Sequence, residues 1–172
     1  IWATAVSGTI EHWDGVSWSV SPNPGFWDLL GIWGTSASEI TVVGTGGTML
    51  RRSGSSWVME NRGSTWERFE IWGAAADDIW AVGGGGMSLH WNGAAWSEVA
   101  SGAPGYLHGI WGAGSSDVWA VGPAGLIVHW NGSEWTSVPS NTAADLLCVW
   151  GSSAADVWVV GASGTILRWN GA

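Results

Sequence analysis

Three groups of side chains in this sequence have types and spacing suited to chemistry. In four loops an aromatic ring or a carboxylate recurs at one place: Trp27 with Asp28, Trp66 with Glu67, Tyr106 in the acid's position, and Asp145 where the aromatic is lost. A flat apolar ring beside a hydrogen-bond acceptor suits a sugar, whose C–H face stacks while its hydroxyls donate. The second group is cationic. Arg51, Arg52, Arg62 and Arg68 are four of the five basic residues and lie among Glu60, Glu67 and Glu70. They are candidates for a partner patch, or for surface ion pairs that are each worth little.

The third group is His12, His90 and His129, with an acidic series at Glu39, Asp78, Asp117 and Asp156. Three equivalent histidines on separate units do not converge on one ion, so no metal site is expected. They read as structural groups, and the acids as turn caps bonding the backbone. Glycosidase chemistry needs two carboxyls about 5 to 10 Å apart, and the sequence nominates no such pair. No catalytic residue and no cofactor follow.

These residues recur because the chain is a tandem repeat. Trp33, Trp72, Trp111 and Trp150 are spaced by 39 residues, as are Trp2, Trp80, Trp119 and Trp158 at multiples of that interval. The series Trp13, Trp91, Trp130, Trp169 and Trp18, Trp57, Trp96, Trp135 keep the same period. A fixed period in this range marks a solenoid, a propeller or an array. Each repeat holds four short alternating segments, a to d, separated by Gly, Asn, Asp or Ser clusters. In the third complete-length pattern these are residues 107–111, 117–122, 125–130 and 134–138. The c-to-d links Asp14-Gly15, Asn92-Gly93, Asn131-Gly132 and Asn170-Gly171 predict type I′ hairpins. The run Gly83 to Gly86 predicts a b-to-c turn.

Four strands in about 40 residues is the arithmetic of a propeller blade. The fold class is therefore all-β, a β-propeller of four-stranded antiparallel blades in one domain, 1–172. Strands b-c-d occupy 1–20, complete blades 28–60, 67–99 and 107–138, and strands a-b-c 146–169. Eighteen strands favour five blades, with missing strands supplied beyond the ends or by another chain; four blades or a larger or oligomer-completed ring are the alternatives. Tryptophan, 18 in all, is expected to form the core between blades, since each repeat must bury its faces on its neighbours.

The motif DVWAVG, a glycine turn, then GxIxHWNGxxW resembles bacterial BNR or Asp-box-like propeller repeats, including photosystem II assembly factors, sialidase-type propellers and tandem-repeat propeller lectins. It departs from the Asp-box pattern in having Asp14 or Asn131 directly before the glycine and no leading serine. The resemblance implies the fold rather than an activity.

Composition narrows the partners. A net charge of -9 and the absence of lysine argue against nucleic acid. No apolar run approaches the roughly 20 residues of a membrane span. Cys148 is alone and reads as a small apolar filler. The start at Ile1 suggests a processed product or a fragment, and secretion to the outside or the cell surface fits that reading. The leading expectation is a non-catalytic, multivalent carbohydrate-binding propeller. The alternative is a structural or protein-interaction propeller, with self-association through unpaired terminal strands.

Overall fold

The computed structural model describes residues 1–60 and 67–171, with the side chains of Arg68 and Phe69 left out. Its 18 described strands form five antiparallel sheets. The first sheet is β1 (Trp2–Thr4), β2 (Ile10–Trp13) and β3 (Trp18–Val20). The second is β4 (Leu29–Ser36), β5 (Glu39–Gly44), β6 (Met49–Ser53) and β7 (Ser56–Met59). The third is β8 (Arg68–Ala75), β9 (Asp78–Gly83), β10 (Met87–Trp91) and β11 (Trp96–Ala100). The fourth is β12 (Gly109–Gly114), β13 (Asp117–Val121), β14 (Ile127–Trp130) and β15 (Trp135–Ser137). The fifth is β16 (Leu146–Ser153), β17 (Asp156–Gly161) and β18 (Ile166–Trp169). Each sheet runs in chain order. Among the described residues the first sheet has strands b, c and d and the fifth strands a, b and c, the β-propeller pattern that the repeat predicts. Strand a of the fourth sheet begins and ends later than the sequence suggests, because Gly112 to Gly114 continue pairing with β13 across a bulge.

Two compact units divide the chain, Ile1–Ile71 and Trp72–Ala172, the cut falling within β8. In the first, Ile10, Leu29, Ile40, Val42, Leu50 and Trp57 form the core between the first two sheets. In the second, one core joins Trp80, Val82, Leu107, Ile110, Val118 and Val128. A further core joins Trp119, Val121, Ile127, Leu146, Val149, Val157 and Val159.

Glycine is required where one sheet meets the next. A Cβ on Gly112 would come within 2.6 Å of the Trp72 ring, and one on Gly151 within 2.6 Å of Trp111. The outer edge of the strand-a tryptophan of one sheet, its Cη2 and Cζ3, therefore lies against the strand-a glycine of the following sheet. At the b-to-c turns Gly8, Gly86 and Gly125 have φ of 74°, 68° and 74°. A Cβ on each would overlap a backbone carbonyl of the following loop, at Gly25, Ala103 and Thr142 respectively.

The c-to-d hairpins correct the expected turn type. Gly15, Gly93 and Gly132 have φ of 109°, 89° and 97°, but the preceding Asp14, Asn92 and Asn131 are not left-handed. A type I′ turn needs positive φ at both places. Here a four-residue loop is held by the side chain instead: Asn131 Oδ1 accepts from the Ser133 and Glu134 N–H groups at 2.9 and 3.0 Å. Asp14 Oδ1 accepts likewise from Val16 and Ser17 at 2.7 and 2.8 Å. These two backbone donors, Ser17 first, hold the Asp14 carboxyl below its ordinary pKa.

Candidate partner-binding surface

The histidine and acid series meet across strands b and c. His90 Nε2 lies 2.7 Å from Asp78 Oδ1, and His129 Nε2 lies 2.7 Å from Asp117 Oδ1. In the fifth sheet Arg168 stands in the histidine's place and donates to Asp156 Oδ1 at 2.9 Å. Asp156 also accepts from Ser152 Oγ at 2.7 Å and from Trp158 Nε1 at 3.0 Å. The Ser152 hydroxyl, then Arg168, keep its carboxyl below the ordinary pKa. The expectation that these acids cap turns through the backbone is corrected for Asp78, Asp117 and Asp156: they pair side chain to side chain, and the histidine partners of Asp78 and Asp117 pack against the strand-b tryptophans. Trp80 and His90 stack with centroids 4.2 Å apart.

Of the arginine group, only Arg51 and Arg52 have side chains among the described residues. Arg62 lies outside them, and nothing is described of the Arg68 side chain. Arg51 is half-buried. Arg52 replaces the strand-c tryptophan and takes over its packing, its guanidinium lying 4.2 Å from the Trp2 ring centroid and 5.6 Å from that of Trp57. Its Nε and Nη1 are buried without a hydrogen bond. Arg52→Ala is therefore expected to lower stability by about 1 to 2 kcal/mol through the lost cation–π contact. Arg52→Trp should recover that loss in urea unfolding, which would mark Arg52 as packing rather than as a partner site.

Of the loop candidates, Trp27 is 44% and Tyr106 50% exposed. Trp66 lies outside the described residues, and Glu67 is exposed. The two aspartates have structural partners. Asp28 Oδ1 accepts from the Ser7 N–H at 2.8 Å, and Asp145 Oδ1 accepts from the Ala124 N–H at 2.9 Å. Ser7 and Ala124 have φ of 57° and 53°, where equivalent turns carry Gly46 and Gly85. The aspartate thus ties down a turn whose left-handed residue is not glycine. That signal was available in the sequence as a co-occurrence of Asp with Ser or Ala 21 residues earlier. Trp27 lies over its own loop, within 3.2 Å of the Cβ positions of Gly25 and Gly46.

Glu70 entered only as a neighbour of the arginines, yet among the described residues it is the acid held above its ordinary pKa of 4.5, by burial, beside Gly31. A raised folded-state pKa means the folded form holds the proton longer than the unfolded chain, so stability falls as pH rises through that interval. Glu70→Gln should match the parent in acid well below the ordinary carboxyl range and exceed it at neutral pH. Parallel urea titrations at the two pH values read this directly.

The surface that departs most from its repeat is the fifth sheet. Ile166 is 64% exposed, whereas the equivalent Ile10, Met49, Ser88 and Ile127 are 0, 0, 0 and 6% exposed. Trp158 is 40% exposed against 0% for Trp80 and 6% for Trp119, and Val160 and Trp150 are also open. In the third and fourth sheets the same face is covered by the following sheet. The sequence disguises the difference, since Ile127 and Ile166, and Trp119 and Trp158, are alike in type.

No family model and no curated protein sequence matches the chain. Solved structures do match. YCF48 from Cyanidioschyzon merolae superposes with a TM-score of 0.75 at 17% identity, covering 98% of this chain and 65% of that one. YCF48 bound to D1 peptide gives 0.74 at 16%, covering 98% and 60%. The WD40 β-propeller domain of Doa1 gives 0.76 at 9%, covering 99% and 61%. At these identities the likeness establishes the fold, and this chain spans less than two thirds of each. The protein is a β-propeller of tandem 39-residue repeats. Among its described residues no helix is long and apolar enough to cross a membrane.

Proposed function

We propose that this chain is a non-catalytic protein-binding propeller whose partner covers the open face of the fifth sheet. The observation that carries this reading is Ile166, exposed where every equivalent is buried. A contiguous apolar patch of Trp150, Trp158, Val160 and Ile166 is the kind of surface that marks an interaction site. The structural neighbour solved with a bound peptide supports a protein ligand.

The carbohydrate reading retains two exposed rings, Trp27 and Tyr106, but Asp28 and Asp145 have each given a carboxylate oxygen to a backbone N–H. It therefore stands second. A selection of displayed peptides on the purified chain, run beside a glycan array, separates the two. Peptides whose binding is lost in Ile166→Glu uphold the protein reading. Peptides indifferent to that change, or glycans lost with Trp27→Ala, overturn it.

A further inference from the structure

The outermost strand of each sheet leaves one row of backbone groups without a ladder partner, and polar side chains are the usual guard on such an edge. The residue after the strand-d tryptophan is Ser19, Ser97 and Thr136 in β3, β11 and β15, and the next is Val20, Glu98 and Ser137. Among the described strands β7 alone sets two apolar side chains there. They are Val58 and Met59, 51% and 38% exposed. β7 closes a sheet that has all four strands, so its edge owes nothing to either terminus.

The register fixes which backbone groups are open. β7 pairs with β6 through Arg51↔Val58 and Leu50↔Met59, and the Glu60 N–H donates to the Met49 carbonyl at 2.9 Å. Alternate residues of an antiparallel pair face the partner strand, so Val58 and Glu60 bond β6 while the N–H and C=O of Trp57 and Met59 point away from it. A second β7, turned about a two-fold axis at Val58, matches this edge. Trp57 of each copy exchanges both main-chain bonds with Met59 of the other. Val58 meets Val58 at the non-hydrogen-bonded place, where the Cα atoms come to about 4.5 Å. Trp57 and Met59 share the other face, and Glu60 falls opposite Ser56, so no like charges oppose. The same operation on β11 or β15 sets Ser97 on Ser97 or Thr136 on Thr136, hydroxyls that water already satisfies.

Charge points to the same edge. With a net charge of -9 two copies repel over most of their surface. β7 lies in the exceptional segment, residues 51–70, which holds four of the five arginines against three glutamates. Repulsion between copies is least here.

We infer that β7 joins antiparallel to β7 of a second copy of this chain, making one continuous sheet of the two four-stranded ones across an axis at Val58. This surface is separate from the fifth sheet and leaves the reading of that sheet's partner untouched. Main-chain bonds supply the attraction and the facing valines set the register. One strand pair is a small interface, so the dimer is weak and depends on concentration.

The test is sedimentation equilibrium of the full chain in reducing buffer, which keeps the exposed Cys148 from linking copies. A monomer–dimer equilibrium is expected. Val58→Glu and Val58→Lys each place like charges opposite each other and should weaken the dimer about 100-fold. An equal mixture of the two should recover it, because only a residue that faces itself is rescued in this way. Thr136→Glu, at the same place in β15, should leave the dimer unchanged. Should a charged variant fail to fold, Val58→Cys with Cys148→Ser gives a second reading: on oxidation it should link into dimers, since a Cα separation of about 4.5 Å suits a disulfide. A chain that stays monomeric at millimolar concentration, a dimer indifferent to Val58→Glu, folded variants that do not recover on mixing, or a cysteine variant that does not link would overturn the inference.

Discussion

Gly125→Ala is expected to lower stability by about 3 kcal/mol, and Gly164→Ala, at the same place in the next repeat, by only about 1 kcal/mol. Both residues have φ of 74°, so both changes force an L side chain into the left-handed region at a similar cost. The difference lies in what the new methyl meets. At Gly125 it overlaps the Thr142 carbonyl and approaches Ser140 Oγ at 2.6 Å, while at Gly164 nothing lies within 4 Å. The carbonyl is backbone and moves only if the whole loop moves. Urea unfolding of the two variants checks the contrast, and equal losses would mean that the loop gives way freely.

The second large effect is Trp80→Ala, expected to cost about 4 kcal/mol as a large ring removed from a closed core. Trp80 is fully buried among Val82, Leu107, Ile110, Val118 and Val128, touched by Trp130 and Trp135. Trp158→Ala removes the same ring from the same strand position, yet it should cost only about 1 kcal/mol, since 40% of it already faces water. Thermal denaturation of both proteins measures the gap. A Trp158→Ala loss as large as that of Trp80→Ala would mean that the fifth sheet's face is covered in solution, against its exposure in the structure.

Period and strand arrangement were legible because each rests on local alternation and a fixed spacing, which the sequence displays. The tryptophan core was legible only in part, since Trp57, Trp80, Trp91 and Trp119 are buried while Trp18, Trp150, Trp158 and Trp169 are exposed. The a-to-d order followed from turn residues alone. The hairpin type was misjudged because Asn-Gly and Asp-Gly serve two mechanisms: a mirror-image turn, or a side chain that accepts two N–H groups beside one left-handed glycine. Asn131 and Asp14 use the second. Arg52 looked like part of a charged surface because its neighbours in sequence are charged. Its neighbours in space are two indoles, and only the repeat position, that of Trp13 and Trp130, hinted at this. The loop aspartates drew attention by standing next to rings, whereas their hydrogen bonds run backward to the preceding turn.

The open face was the least legible feature. Ile166 has the same type and repeat position as Ile127, yet one is 64% and the other 6% exposed. Exposure here is a property of position in the array rather than of residue type.

The contact between ring edge and glycine has a direction. Within Trp72–Ala172 the ring at Trp72 lies on Gly112 and that at Trp111 on Gly151, so in both contacts a sheet's ring covers the glycine of its successor. Within this unit the sheets overlap like shingles, and the fourth sheet shares a core with the sheet on either side of it. Amide exchange among these sheets should therefore be slowest in β13, whose two faces are both enclosed.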